Sequence, residues 1–498
     1  MPLLHDLAYW EARAAELQLD GRAWINGAPH AAISGATFTS ISPIDGRVLA
    51  TVAACDAQDV DAAVAAARAS FNSGVWRTRS PAQRKGTLLK FAALIEAEAE
   101  TLALTDTLDM GKPIRDALNI DVRATANCFR WTAEAIDKLY DEVAPTSERE
   151  LGLITREPVG VVAAIVPWNF PMIMAAWKLA PALAMGNSVV LKPSEKSPLS
   201  ALHLVRLAEQ AGLPKGVLNV VPGFGHQAGK ALARHPDVDT LVFTGSTGVA
   251  KQLMVDAGET NMKRVWAEAG GKSPNIVFAD APNLDAAAEA AASAIFFNMG
   301  EVCTAGSRLL VENSIADAFM EKVRAAVAHW RPGNPLCPNT TLGAIVDAGQ
   351  LERILDYIAK GKAEGARLTA GGVRCADLAQ GCFIEPTIFE DVTPEMTICC
   401  EEIFGPVLSV VRFQDEAEAV AMANNSIYGL AAALWTSNLS RAHRVARALR
   451  AGSVWVNQYD GGDMTAPFGG YKQSGNGRDK SLHAFDKYSE LKATWIKL

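Results

Sequence analysis

The chain has no Cys-x-x-Cys pair and no metal-ligand spacing around its eight histidines, which argues against a zinc site. It has no apolar run near the roughly 18 residues of a membrane span. The opening Met1-Pro2-Leu3-Leu4-His5-Asp6 lacks a basic segment followed by an apolar one, so no secretory signal is expected. A cytoplasmic protein follows, and with it eight unpaired cysteines rather than a disulfide framework. Positive charge is not in excess either. The formal net charge is -8, which disfavours nucleic acid and acidic membranes as partners. Internal repeats and low-complexity tracts, beyond richness in alanine, are missing as well.

What is present is a soluble-enzyme composition, with 49% hydrophobic and 20% charged residues. At 498 residues the chain is too long for one core, so two or three domains are expected. The first fifty or so residues read as an extended, strand-poor lead-in with turns at Asn26-Gly27 and Asp45-Gly46. Residues 56–140 read as helical, with apolar positions such as Val60, Val64, Ala67 and Phe71 three or four apart, and a helix start at Ser80-Pro81. From residue 159 the pattern changes. Short β-branched runs appear at 159–166, 188–191, 217–221 and 240–243, separated by helical stretches. Such alternation indicates a parallel sheet buried on both faces. A second alternating region, 275–456, reads as a second α/β domain. The last segment, 488–498, reads as a terminal strand whose Trp495 and Ile496 suit pairing between subunits.

Ligands of parallel sheets bind beyond the carboxyl ends of the strands, so the residues there carry the chemistry. After the first run comes Pro167-Trp168-Asn169-Phe170-Pro171, where Asn169 offers an amide donor for an oxyanion. After the second comes Lys192-Pro193-Ser194-Glu195, an amine and a carboxylate that suit ribose hydroxyls. Glu195 would repel a 2′-phosphate, which favours NAD over NADP. After the third comes a glycine cluster, Gly223, Gly225 and Gly229, that departs from the G-x-G-x-x-G fingerprint but could still bring a helix start near a phosphate. After the fourth, Thr244-Gly245-Ser246-Thr247 begins a helix with hydroxyls at its cap. Seven of the eight cysteines read as small core residues. Cys303 differs, because it follows an alanine-rich helix in Gly300-Glu301-Val302-Cys303-Thr304-Ala305-Gly306. About 35 positions upstream, Glu268 lies in an apolar, glycine-punctuated turn, Ala267-Glu268-Ala269-Gly270-Gly271. A thiol and a lone carboxylate so framed suggest a nucleophile and a general base for acyl chemistry.

Together these segments resemble the NAD(P)-dependent aldehyde dehydrogenase superfamily along essentially the whole chain. Glu401-Glu402-Ile403-Phe404-Gly405-Pro406 and Pro467-Phe468-Gly469-Gly470 add to the likeness. Glu301 stands where many members have glutamine. The resemblance implies an α/β fold with two parallel-sheet domains, one Rossmann-like, and a small β flap for oligomerisation. Residues 1–139 and 159–270 would bind coenzyme, 271–470 would form the catalytic domain, and 140–158 with 486–498 the flap. It implies Cys303 as nucleophile, Glu268 as base, and Asn169 with the Cys303 N–H as oxyanion hole. Lys192 and Glu195 would hold the adenosine ribose and Glu402 the nicotinamide ribose, with Phe404 beside the nicotinamide. Ile165, Pro167, Trp168, Ser194, Gly225, Gly229, Phe243, Gly245 and Ser246 would border the dinucleotide. The assembly would be a homo-oligomer, either a dimer or a dimer of dimers.

A narrower likeness, in His5 to Trp10 and Tyr459 to His483, is to bacterial γ-glutamyl-γ-aminobutyraldehyde dehydrogenases of putrescine catabolism. It implies an aminoaldehyde substrate, with 4-guanidinobutyraldehyde or a broad range of aliphatic aldehydes as alternatives, and a non-catalytic relative as a further one. Asp121, Asp460 and Asp463 are then candidates to attract a cationic tail. Phe170, Met174, Trp177 and Phe468 would sheath its methylene chain.

Overall fold

The computed structural model describes residues 5–498. Two seven-stranded sheets carry the chain, and a three-stranded sheet projects from them. In the first, strands 264–269, 240–245, 161–165, 188–192 and 218–220 lie side by side and parallel. Val161–Ile165 and Ser188–Lys192 are buried along their whole length, as strands covered by helices on both faces must be. In the second, strands 387–390, 407–413, 308–312, 274–277, 431–435 and 453–456 are parallel, with an antiparallel edge at 367–370. The third pairs Ser489–Lys497 with Glu150–Pro158 over nine residues and adds Glu142–Ala144. No helix among the described residues is long and apolar enough to cross a membrane.

The expected helices over 56–140 form, and their ends follow local chemistry. Ser80 caps Pro81–Ala97 in a reciprocal box with Gln83, and Pro81 occupies the first turn. Ala99–Met110 stops at Gly111, whose φ of 86° is left-handed.

Three sequence expectations are corrected. The lead-in is not strand-poor. It holds a helix, Leu7–Glu16, capped by Asp6, and two hairpins. The expected turn at Asn26-Gly27 is present: both residues have positive φ, 50° and 77°, which couples strands 23–25 and 28–30 tightly. These strands are only three residues long, too short to show a period. Second, Glu268 is not in a turn. It is the penultimate residue of strand Arg264–Ala269, paired with Thr244. The strand hides because half of its residues are Arg, Trp and Glu rather than β-branched. Third, the helical stretch expected between the runs at 217–221 and 240–243 begins as an irregular turn, Gly225–Gly229, and is regular only over Lys230–Arg234.

Candidate active site

The carboxyl ends of the first sheet's strands face the segments that lead into the second sheet's strands, among them 302–304, 402–404 and 452–453, across a cavity of about 880 Å³. Cys303, Glu268 and Asn169 all line it. Cys303 is presented by a contorted loop. Helix Leu284–Phe296 ends, and Asn298, Met299 and Gly300 then adopt φ of 48°, 57° and 71° in succession. Two consecutive non-glycine residues in this region cost about 1–3 kcal/mol each, and such strain persists only when surroundings enforce it. Here Met299 is fully buried, and the Asn298 amide donates to the carbonyls of Asn169 and Glu301 at 3.2 Å each. A Cβ on Gly300 would collide with the Gly405 carbonyl, so the loop passes closest there.

Asn169 is 4% exposed, and its Nδ2 donates to the Glu301 carbonyl at 2.8 Å. An amide nitrogen carries two N–H bonds, so one remains for a ligand. The Cys303 backbone N–H meets no protein acceptor among the described residues. The Cys303 thiol is pushed up by burial, reinforced by the carboxylates of Glu402, Asp460 and Glu268, and the Thr304 N–H only partly opposes this. The resting residue is therefore a neutral thiol.

Glu268 is 3% exposed and neither carboxyl oxygen has a hydrogen-bond partner. Glycines make its space: a Cβ on Gly469 or Gly477 would lie 2.8 or 2.9 Å from its Oε1. Burial raises its pKa well above the usual carboxylate range. Asp479 adds to the rise, while Lys178, Lys487 and Arg478 oppose it. Beneath it lies a buried triad that sequence reasoning missed, in which Asp479 is ion-paired with both Lys178 and Lys487. Its signal was Lys178, the only charge in the apolar helix Pro171–Ala184.

Glu402 accepts the Gly271 N–H at 2.9 Å, and a Cβ on Gly270 would collide with its carboxylate. Burial pushes Glu402 up to about 7. Phe404, with φ of 61°, meets Trp168 edge-on at 5.2 Å. Pro167, Gly245 and Ser246 line the same side of the cavity, and Ser246 caps helix Thr247–Gly258. Ile165, Lys192, Ser194, Glu195, Gly225, Gly229 and Phe243 do not line the cavity. They cluster at and beyond the carboxyl ends of the first sheet. Lys192 donates to Glu195 at 2.8 Å. Burial pushes Glu195 up, but Lys192 and the N–H groups of Glu195 and Gly225 outweigh it, and the carboxyl stays below its usual range. Ile165 is paired with Phe243 across the sheet and with Lys192 on its other side. Nothing would meet a Cβ on Gly225, and a Cβ on Gly229 would touch only Ile165, at 4.0 Å, so the surface beside the ion pair is open.

The far wall of the cavity is apolar and aromatic. Phe170, Met174, Trp177 and Phe468 line it, with Trp177 and Phe468 centroids 5.0 Å apart. Asp460 and Asp463 border the same cavity. Asp463 is exposed and accepts from the N–H and hydroxyl of Thr465. Asp460 is exposed as well; desolvation at the cavity raises its pKa, while Lys480 and Thr304 pull it down. Asp121 is not part of the site. It is 0% exposed and ion-paired with Lys112, whose Nζ lies 3.8 Å from the centre of the Phe170 ring. A helical aspartate near a tunnel residue looked available because its lysine partner, nine positions upstream, has no fixed geometry in sequence.

Comparisons with known proteins agree on the family and differ in the aldehyde named. The sequence model of the aldehyde dehydrogenase family matches residues 31–494. The chain is 57% identical to the NADP/NAD-dependent aldehyde dehydrogenase PuuC of Escherichia coli K12, over 99% of each. It is 65% identical, with a TM-score of 0.98, to the P. syringae indole-3-acetaldehyde dehydrogenase AldA solved with NAD+, covering 99% of this chain and 100% of that one. It is 60% identical, again with a TM-score of 0.98 and coverage of 99% and 100%, to a γ-glutamyl-γ-aminobutyraldehyde dehydrogenase of Burkholderia cenocepacia J2315.

Proposed function

The chain belongs to the aldehyde dehydrogenase family, and from that premise we propose that it oxidises an aminoaldehyde to its acid with NAD. The observation that carries the reading is one cavity holding a thiol, a buried unpartnered carboxyl and two free N–H donors, with aspartates at its border. Residues 1–139 and 159–270 hold the coenzyme, 271–470 supply Cys303, and 140–158 with 486–498 form the flap. The three sheets support this division.

The residues fit a dinucleotide. Lys192 and Glu195 offer a donor and an acceptor for ribose hydroxyls beside the open surface at Gly225, and Glu402 sits within the cavity for the second ribose. When bound, NAD supplies the hydride acceptor. The chain does the rest. Cys303 Sγ forms a bond to the aldehyde carbon as its proton passes to the ionised form of Glu268 or to solvent and the carbonyl π pair moves onto oxygen. The carbonyl oxygen turns toward the Asn169 amide and the Cys303 N–H, which stabilise its charge. Loss of hydride leaves a thioester on Cys303. Glu268, once deprotonated, takes a proton from the water that hydrolyses it. The elevated pKa of Glu268 makes it a stronger base than an exposed glutamate.

For the substrate, Asp460 and Asp463 favour a cationic tail, and Phe170, Met174, Trp177 and Phe468 favour a methylene chain between tail and aldehyde. The names of two of the three relatives above accord with this or leave it open. The third favours a second reading, an arylacetaldehyde packed against the same aromatic wall. A panel of kcat/KM values decides. The proposal expects 4-guanidinobutyraldehyde and γ-glutamyl-γ-aminobutyraldehyde to exceed hexanal and indole-3-acetaldehyde, and the reverse order would remove it. We also propose a homo-oligomer built on the flap, where Val143, Leu491 and Trp495 are each 60–67% exposed on one small sheet.

A further inference from the structure

The cavity holds a cation that neither the chemistry nor the methylene chain requires. Lys480 lines it, half-buried, with its Nζ 5.0 Å from the Trp177 ring centre and 5.8 Å from that of Phe468. Among the described residues it has no carboxylate within 4 Å and no hydrogen-bond acceptor, whereas its neighbour Asp479 has two lysines. Stacking on aromatic faces stabilises the ammonium but leaves its three N–H donors unused.

The backbone is bent to put it there. Lys480 and Ser481 have φ of 58° and 51°, two consecutive left-handed residues, and Ser481 is only 3% exposed. Asp479 and Phe468 exchange both backbone hydrogen bonds at 2.7 Å, and the Ser481 N–H donates to the Met464 carbonyl at 2.8 Å. These contacts let the Asp479 side chain reach the buried lysines while Lys480 enters the cavity. Asp460, on the same cavity, is also left-handed, with φ of 58°. Two opposite charges are thus each held in costly backbone at one cavity, and they do not contact each other as an ion pair.

A simple cationic tail would use Asp460 and be repelled by Lys480. An anionic tail would meet the reverse. One head group satisfies both: an ammonium and a carboxylate on the same carbon. We propose that Asp460 and Lys480 form a bipolar subsite for the α-amino-acid head of a long-chain aldehyde, Lys480 taking the carboxylate and Asp460 the ammonium. The proposal rests on the aminoaldehyde reading above and narrows it to zwitterionic substrates.

The test is kcat and KM for γ-glutamyl-γ-aminobutyraldehyde, 4-guanidinobutyraldehyde and hexanal in the wild type, Lys480→Leu, Lys480→Arg and Asp460→Asn. The readout is each charged substrate's kcat/KM divided by that of hexanal, which cancels any general loss. Lys480→Leu is expected to lower the ratio for the γ-glutamyl substrate about tenfold or more, chiefly through KM, and to raise that for the guanidino substrate. Lys480→Arg should retain most of the γ-glutamyl ratio, and Asp460→Asn should lower both. A γ-glutamyl ratio in Lys480→Leu within about twofold of wild type, or equal losses for both charged substrates, overturns the subsite. A wild type that prefers hexanal to both charged aldehydes overturns the aminoaldehyde reading itself, and the subsite with it.

Discussion

Glu301→Gln is the substitution whose outcome the structure fixes most tightly. Glu301 is 0% exposed, next but one to Cys303. Its Oε1 accepts the Val346 N–H at 3.1 Å, and its Oε2 has no partner. Burial pushes its pKa well above the usual 4.5, with the Val346 N–H, Lys196 and Lys112 opposing and Asp347 assisting. The folded chain therefore keeps this carboxyl protonated where the unfolded chain ionises it. A raised folded pKa gives stability that is whole below about pH 4.5 and is lost as pH climbs toward the folded value. Each pH unit between the unfolded and the folded pKa costs wild type about 1.4 kcal/mol. Glutamine does not titrate and keeps the acceptor for Val346, but it adds one buried unpartnered donor, at about 1 kcal/mol. Glu301→Gln should be near or below wild type at pH 5.5 and above it at pH 7.5. For a cooperative unit of 150–250 residues the relative gain is roughly 3–6 °C in Tm for each pH unit crossed below the folded pKa. Differential scanning calorimetry of both proteins across that range reads it directly. A Tm difference that stays flat with pH would show that Glu301 is ionised in the folded protein, and the account of its burial would be wrong.

Thioester hydrolysis should accelerate with rising pH through the elevated pKa of Glu268, and single-turnover deacylation in Glu268→Gln should lose that limb along with most of its rate, on the order of 10²–10⁴-fold. Glu195→Gln should raise kcat/KM for NADP relative to NAD by about tenfold, since it removes a carboxylate beside Lys192 that would face a 2′-phosphate; an unchanged coenzyme ratio counts against its ribose role. Trp495→Asp, at a 64% exposed position on the terminal strand, should lower the mass seen by light scattering without loss of helical signal, and an unaltered mass would place the subunit contact elsewhere.

The sequence made some elements legible and concealed others for physical reasons. Strands 161–165 and 188–192 are buried on both faces, and that burial writes an unbroken apolar run. Strand 264–269 pairs fully with its neighbour yet carries Arg264, Trp266 and Glu268, so function masks its period and Glu268 read as a turn residue. Cys303, Glu268, Asn169, Glu402 and Phe404 meet at one cavity, as the motifs that carry the family resemblance implied. What could not be read was pairing over distance. Lys112 removes Asp121 from the cavity, and Asp479 binds lysines some 300 and 8 positions away. The left-handed run Asn298-Met299 has no mark in sequence either, since packing around the buried Met299 imposes it.

The central claim is that Cys303 carries the acyl group and Glu268 releases it. It is tested most directly by mixing Glu268→Gln with aldehyde and NAD, quenching in acid, and measuring intact and peptide mass. The account predicts about one equivalent of NADH per site in a burst, with the acyl mass on the peptide containing Cys303 and slow turnover thereafter. Steady turnover at the wild-type rate with no added mass, or an acyl group on another residue, would contradict it.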